Sequence, residues 1–129
     1  MGELKGKCTV PGLVEGEVIV SKEPISFLGD VDPRTGRIVA EGNGLKGQSV
    51  KDKVFAFPCG KGSTVGSYVI FQMKKNGTAP KAIINQEAEA IVAVGAIISD
   101  IPMVTGIDIS KLKSGSRIKL DCEKGVVRT

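Results

Sequence analysis

Apolar and polar positions change their period about two-fifths of the way along the chain. Before residue 52 the pattern is short: "EVIVSKEPI" (17–25) alternates, which predicts a half-buried strand. "DVDPRTGRIV" (30–39) carries Pro-x-x-Gly turn chemistry, and "EGNGLKGQS" (41–49) is a glycine-rich loop, so this half is expected to be mostly β. From residue 52 the period lengthens. "DKVFAFP" (52–58) is a short apolar strand, after which Val65, Tyr68, Val69 and Met73 fall on one helical stripe. Lys74 and Lys75 occupy the last turn of that helix, and Asn76-Gly77 stops it. "KAIIN" (81–85) is a second strand. "QEAEAIVAVGAIISDIP" (86–102) is too long for an ordinary strand, places Glu87 and Glu89 where a helix dipole favours acids, and closes on Pro102, so a helix is expected. "MVTGI" (103–107) supplies a third strand, completing a β-α-β-α-β unit with right-handed crossovers. The tail (116–129) reads as a hairpin around Glu123-Lys124-Gly125. The fold class that follows is α/β, with a β-rich part preceding a short parallel unit, in a single domain spanning 1–129.

Composition narrows the chemistry. The chain has 129 residues, 41% apolar and 25% charged, enough for one globular core without disulfides. It contains no histidine, so the commonest general acid/base is absent, and proton transfer falls to Ser, Thr, Lys, Cys, Tyr or carboxylates. The net charge of +4 is spread along the chain and aromatics are only 4%, which argues against a nucleic-acid footprint. Cys8, Cys59 and Cys122 are odd in number with no C-x-x-C spacing, so neither a disulfide framework nor a self-contained metal site is expected. The N-terminus lacks a signal-peptide core and no apolar run reaches membrane-span length; a cytoplasmic protein with no membrane association is expected.

The segment with most chemistry is "CGKGSTVG" (59–66), between the first apolar strand and the first helix. A Walker A loop requires Gly-Lys directly before Ser or Thr, and here Gly62 separates Lys61 from Ser63. Gly60, Gly62 and Gly66 give G-x-G-x-x-x-G, which is not the dinucleotide fingerprint. Two readings stay open on spacing alone. Ser63 or Thr64 caps the helix while the glycines permit a tight turn, or the glycines expose backbone N–H groups at a positive helix end, where anionic ligands bind. Neither cap choice offers a capping box, since N3 is Gly66 or Ser67. Asn85, Gln86, Glu87 and Glu89 either line an interface or, the preferred reading, begin the second helix, and Cys59 is read as a small buried thiol.

"FLGDVDPRTGRI" (27–38), "LKGQSVKDKVFAFPCGKGSTVGSYV" (45–69), "APKAIINQEAEAIVAVGAII" (79–98) and "IPMV" (101–104) together resemble the small subunit of the archaeal aconitase X family. The resemblance runs in order over nearly the whole chain, and "GKGST-x-GSYV" combined with "N-x-EAE" is far more specific than any glycine pattern. It implies a swivelling β/β/α domain of the aconitase superfamily, with a barrel-like β part, that forms a heterodimer with a large subunit. That subunit is expected to carry a [4Fe-4S] cluster, with no metal bound by this chain. The implied reaction is dehydration of 5-phosphomevalonate, a phosphorylated hydroxy acid, to trans-anhydromevalonate 5-phosphate in archaeal isoprenoid synthesis. The alternatives are a related dehydratase acting on cis-3-hydroxy-L-proline, or a non-catalytic anion-binding module. By position Ser63 matches the family's catalytic serine, the proposed proton acceptor. Gly60, Lys61, Gly62 and Thr64 are the expected substrate contacts, Lys61 as an inference from its charge.

Overall fold

A computed structural model describes residues 2–129. Eight strands, β1 (Glu3–Lys5), β2 (Lys7–Val10), β3 (Leu13–Val20), β4 (Val54–Phe57), β5 (Ala82–Asn85), β6 (Met103–Thr105), β7 (Arg117–Asp121) and β8 (Val126–Arg128), form one sheet in the order β1-β8-β7-β3-β4-β5-β6-β2. Strands β3 to β6 run parallel, whereas β3, β7, β8 and β1 pair antiparallel, as does β2 with β6. Only Gly6 separates β1 from β2, although they occupy opposite ends of this order. The sheet therefore curls until its two edges nearly meet, which is the barrel-like part the resemblance implied. Gly6 sits at that corner: its N–H donates to the Gly125 carbonyl at 2.7 Å, and any side chain would overlap the Thr105 carbonyl oxygen.

Side chains alternate across the curled sheet. Val18, Val54, Ala56, Ala82, Ile84 and Val104 point to one side and pack with Ile118, Leu120 and Val127. Their neighbours Ile19, Phe55, Phe57, Ile83 and Met103 point to the other, where two helices cover them. Because β4, β5 and β6 are buried on both faces, they read as continuous apolar runs rather than alternating ones. Helices α2 (Gly66–Asn76) and α3 (Ala90–Ser99) form the cover, and a single distorted turn, α1 (Phe27–Asp30), precedes them. Phe27 anchors that turn edge-on to Phe55 and Phe57, with ring centroids 6.2 and 5.9 Å apart.

The strand, helix and hairpin expectations after residue 52 hold in order, including the stop at Gly77, which adopts φ +75, but α3 begins only at Ala90: Asn85 ends β5, and Gln86 and Glu87 lie in the connection rather than in the helix. The buried stripe of α2 differs. It consists of Gly66, Val69, Ile70 and Met73, while Tyr68 is 62% and Val65 48% exposed. The helix packs sideways on α3 as well as down on the sheet, with Ile70 seated against Gly95, which rotates the buried arc away from Tyr68. The first half is also less β than expected. β3 ends at Val20, because the Ser21 hydroxyl turns back to the Glu23 carbonyl and Pro24 follows. Residues 21–53 then contribute only isolated bridges, among them Ile25 with Gly60 and Val31 with Ile38.

Cys122 lies fully buried in the barrel-side cluster. Burial foremost, then the nearby Cys8 and Asp121, pushes its thiol up to about 12 from an ordinary value of 9.0. A neutral thiol reacts slowly, so a thiol reagent at mildly alkaline pH should label exposed Cys8 in the native protein and Cys122 only after unfolding. The linkage has a definite sign. The folded value exceeds the unfolded one, so the stabilising contribution is complete below about pH 9 and declines as pH rises toward 12.

Candidate functional site

The loop at 60–64 is held from three sides. The Ile25 N–H donates to the Cys59 carbonyl at 3.1 Å, and the Lys61 N–H donates to the Ile25 carbonyl at 3.0 Å, zipping the loop to the segment before α1. On the second side stands the N-terminus of α3. Glu89 caps that helix, its two carboxylate oxygens accepting from Ile91 N–H at 2.9 Å and Val92 N–H at 3.1 Å. The capped turn presses against buried Gly60 so closely that a Cβ there would overlap the Glu89 carboxylate and lie 2.5 Å from Val92 Cγ2. The third side is Ser26, whose hydroxyl donates to the Leu28 carbonyl and whose N–H donates to Asp30 Oδ2 at 2.8 Å. Gly62 runs directly over Ser26 with φ +88, a left-handed backbone that side chains resist. The two glycines thus serve different needs: Gly60 is a close approach, and Gly62 is both a close approach and a backbone reversal.

This bracket delivers Ser63 to the surface at the start of α2. Its carbonyl accepts from Gly66 N–H at 2.9 Å and its Oγ accepts from Val65 N–H at 3.1 Å. Ser63 therefore caps a leading turn, and α2 proper begins one turn later at Gly66. The cap reading and the anion reading coincide in these atoms. The N–H groups of Gly62, Ser63 and Thr64 have no acceptor among the described residues, so three consecutive backbone donors stand free in the segment that carries the Ser63 hydroxyl, which itself accepts from Val65. Such a cluster favours negative charge, whether on a bound anion or on Ser63 Oγ itself.

Lys61, Gly62, Ser63 and Thr64 are all exposed, as a docking loop requires. Lys61 does not turn toward Ser63 through any described bond; it lines a small cavity of about 170 Å³ with Glu23, Asp30, Glu41 and Asn43. The far wall of this cavity is fixed by a buried bond in which the Asn43 amide donates to Ser21 Oγ at 3.0 Å. Among the described residues no group of three or more Cys, Asp or Glu side chains could hold a metal. Cys59 is half-buried rather than buried, since it stands past the end of β4, where the chain leaves the sheet for the exposed loop. Among the described residues no helix is long and apolar enough to cross a membrane. Sequence reading missed Ser26, Asp30 and Asn43: Gly62 packs on Ser26 from 36 residues away, Asp30 fixes the Ser26 N–H, and Asn43 bonds Ser21 across 22 residues, contacts between loops that no local pattern encodes.

Comparison with known proteins accounts for this arrangement. The family model described as the aconitase X swivel domain matches residues 3–129. The chain belongs to the aconitase X swivel-domain family. Within that family it is 60% identical over 125 residues to the phosphomevalonate dehydratase small subunit of Pyrococcus furiosus, covering 97% of this chain and 93% of that relative. The same-named protein of Methanosarcina acetivorans is 54% identical over 128 residues, covering 97% and 89%. The crystal structure of Thermococcus kodakaraensis aconitase X in its holo-form superposes with a TM-score of 0.98 at 58% identity, covering 99% of this chain and 98% of that one. Two expectations from the resemblance, the family and its fold, are thereby met.

Proposed function

We propose that this chain is the small subunit of a phosphomevalonate dehydratase, acting over residues 1–129 as one swivelling domain in the cytoplasm. Its loop completes an active site held on a large subunit. The reading is supported by relatives of nearly the same length that bear that name. The observation that carries the residue assignment is the exposed Ser63 hydroxyl, which accepts from Val65 N–H in a segment whose Gly62, Ser63 and Thr64 N–H groups are free of any described acceptor.

Dehydration of 5-phosphomevalonate removes a proton alpha to a carboxylate and a hydroxyl from the adjacent carbon. A base is needed on one face and assistance to the departing oxygen on the other. A [4Fe-4S] cluster held by the large subunit would supply Lewis-acid assistance to that departing oxygen. The residues of this chain have the other task. Ser63 Oγ, as an alkoxide, accepts the alpha proton. An alkoxide is unfavourable in water at neutral pH, and it forms only where donors are already aimed at it. The Val65 N–H, the free N–H groups beside it and the N-terminal end of α2 provide that field. Gly60 and Gly62 let the donors approach, Thr64 extends the same edge, and Lys61 adds a positive charge at the rim where an anionic substrate arrives.

The experiment is reconstitution. Neither chain alone should dehydrate 5-phosphomevalonate, and the mixture should do so while leaving cis-3-hydroxy-L-proline untouched. Turnover of hydroxyproline in preference would assign the chain to the related dehydratase. Activity of the isolated small chain would remove the subunit reading altogether.

A further inference from the structure

The outer side of the helical layer is apolar where the surface of an isolated α/β domain is ordinarily charged. From Ala90 to Ser99 helix α3 contains no charged residue. Its sheet-facing side chains Val92 and Ala96 are buried, yet Val94, Ile97 and Ile98 stand 48%, 58% and 51% exposed. A helix that is hydrophobic all round is one that is buried all round. Here one side has its cover and the other does not. Across the seam, which Ser67 Oγ closes by donating to the Ile91 carbonyl at 2.6 Å, α2 presents Tyr68 and half-buried Phe71, their rings 6.4 Å apart. At the N-terminal end the patch continues through Val65 to Leu28, exposed by 48% and 47%. The Leu28 backbone lies beside Gly66, under 4 Å from where a side chain there would begin. Exposed apolar surface of this extent, with aromatics in it, marks a protein interface.

We propose that this face, from Leu28 and Val65 over Tyr68 and Phe71 to Val94, Ile97 and Ile98, is the surface on which the large subunit docks. The assignment rests on the function proposed above and adds the place of contact. Two observations select this occupant. Relatives matched over nearly their whole length bear the name small subunit, which calls for a larger partner chain. And the patch is continuous with the site: Val65 is two residues from Ser63 and donates the bond to its hydroxyl. A body seated on α2 and α3 therefore walls the loop from one side, which is where a chain presenting substrate to Ser63 must stand. A second copy placed there would cover the loop of its neighbour instead of completing it.

The test is association of the full-length chain with its co-expressed large subunit, followed by calorimetry and analytical ultracentrifugation. The double substitution Ile97→Glu with Ile98→Glu should weaken association at least a hundredfold. Its circular dichroism and melting temperature should match the unmodified chain, because both side chains are exposed. Leu13→Glu, at an 81% exposed site on β3 outside the proposed face, should leave association unchanged. Association of the double variant within threefold of the unmodified chain overturns the surface assignment alone. Failure of the unmodified chain to associate overturns the subunit reading and this surface with it. A homodimer of the isolated chain that the same double variant dissolves gives the face to a second copy and overturns the proposal.

Discussion

Replacing Ser63 by alanine should lower kcat of the reconstituted enzyme by about 10²- to 10⁴-fold, the range over which a positioned base accelerates proton transfer. Stability should change far less. The side chain is exposed and its one described bond is the acceptance from Val65 N–H, so the loss is that of a cap, about 1 kcal/mol. The two readings left open by spacing separate here. If Ser63 were only a cap, the same substitution would cost that stability and leave turnover intact. If it is the base, turnover collapses while the melting curve barely moves. Subunit association should change little, since only Val65 of the apolar face touches the hydroxyl, and through its backbone N–H rather than its side chain.

Gly62→Ala is expected to be the second large effect, through position rather than chemistry. Alanine at φ +88 carries the left-handed backbone cost, about 1–3 kcal/mol, and its Cβ overlaps Ser26 Oγ. The loop can relieve both only by shifting, and the next residue it carries is Ser63. A misplacement near 1 Å is enough to lower turnover about 100-fold. Gly47→Ala separates the contributions. It has φ +91 and open space around it, so it should show the backbone cost in stability with turnover retained. Equal losses of turnover in the two variants would mean that the Gly62 effect is general destabilisation.

The legible part of this fold is the part whose burial is local. β4, β5, α2 and α3 announce themselves through apolar runs, Gly77 and the acidic start of α3, because each depends on residues within one or two turns. Tyr68 was misplaced because a single stripe cannot reveal that α2 has two neighbours, the sheet and Gly95 of α3. The segment 21–53 was read as mostly β from its turn residues, but its order comes from Phe27 in the aromatic cluster and from the Asn43 bond to Ser21, both long-range. At the site, the glycine spacing excluded nucleotide loops and left a helix cap and an exposed N–H edge both open. It could not show that Gly60 yields to Glu89 or Gly62 to Ser26, since those partners lie 29 and 36 residues away. Glu89 itself was expected at the start of a helix, and its carboxylate does cap α3.

The central claim is that Ser63 takes the proton from a substrate another chain holds. The most direct measurement is the single-turnover rate of 5-phosphomevalonate dehydration by the assembled Ser63→Ala complex at saturating substrate, where association and binding no longer enter. A fall of at least about 100-fold relative to the unmodified complex, with substrate affinity within severalfold, is the predicted result. A rate within about fivefold of the unmodified complex would contradict it and leave Ser63 as a cap.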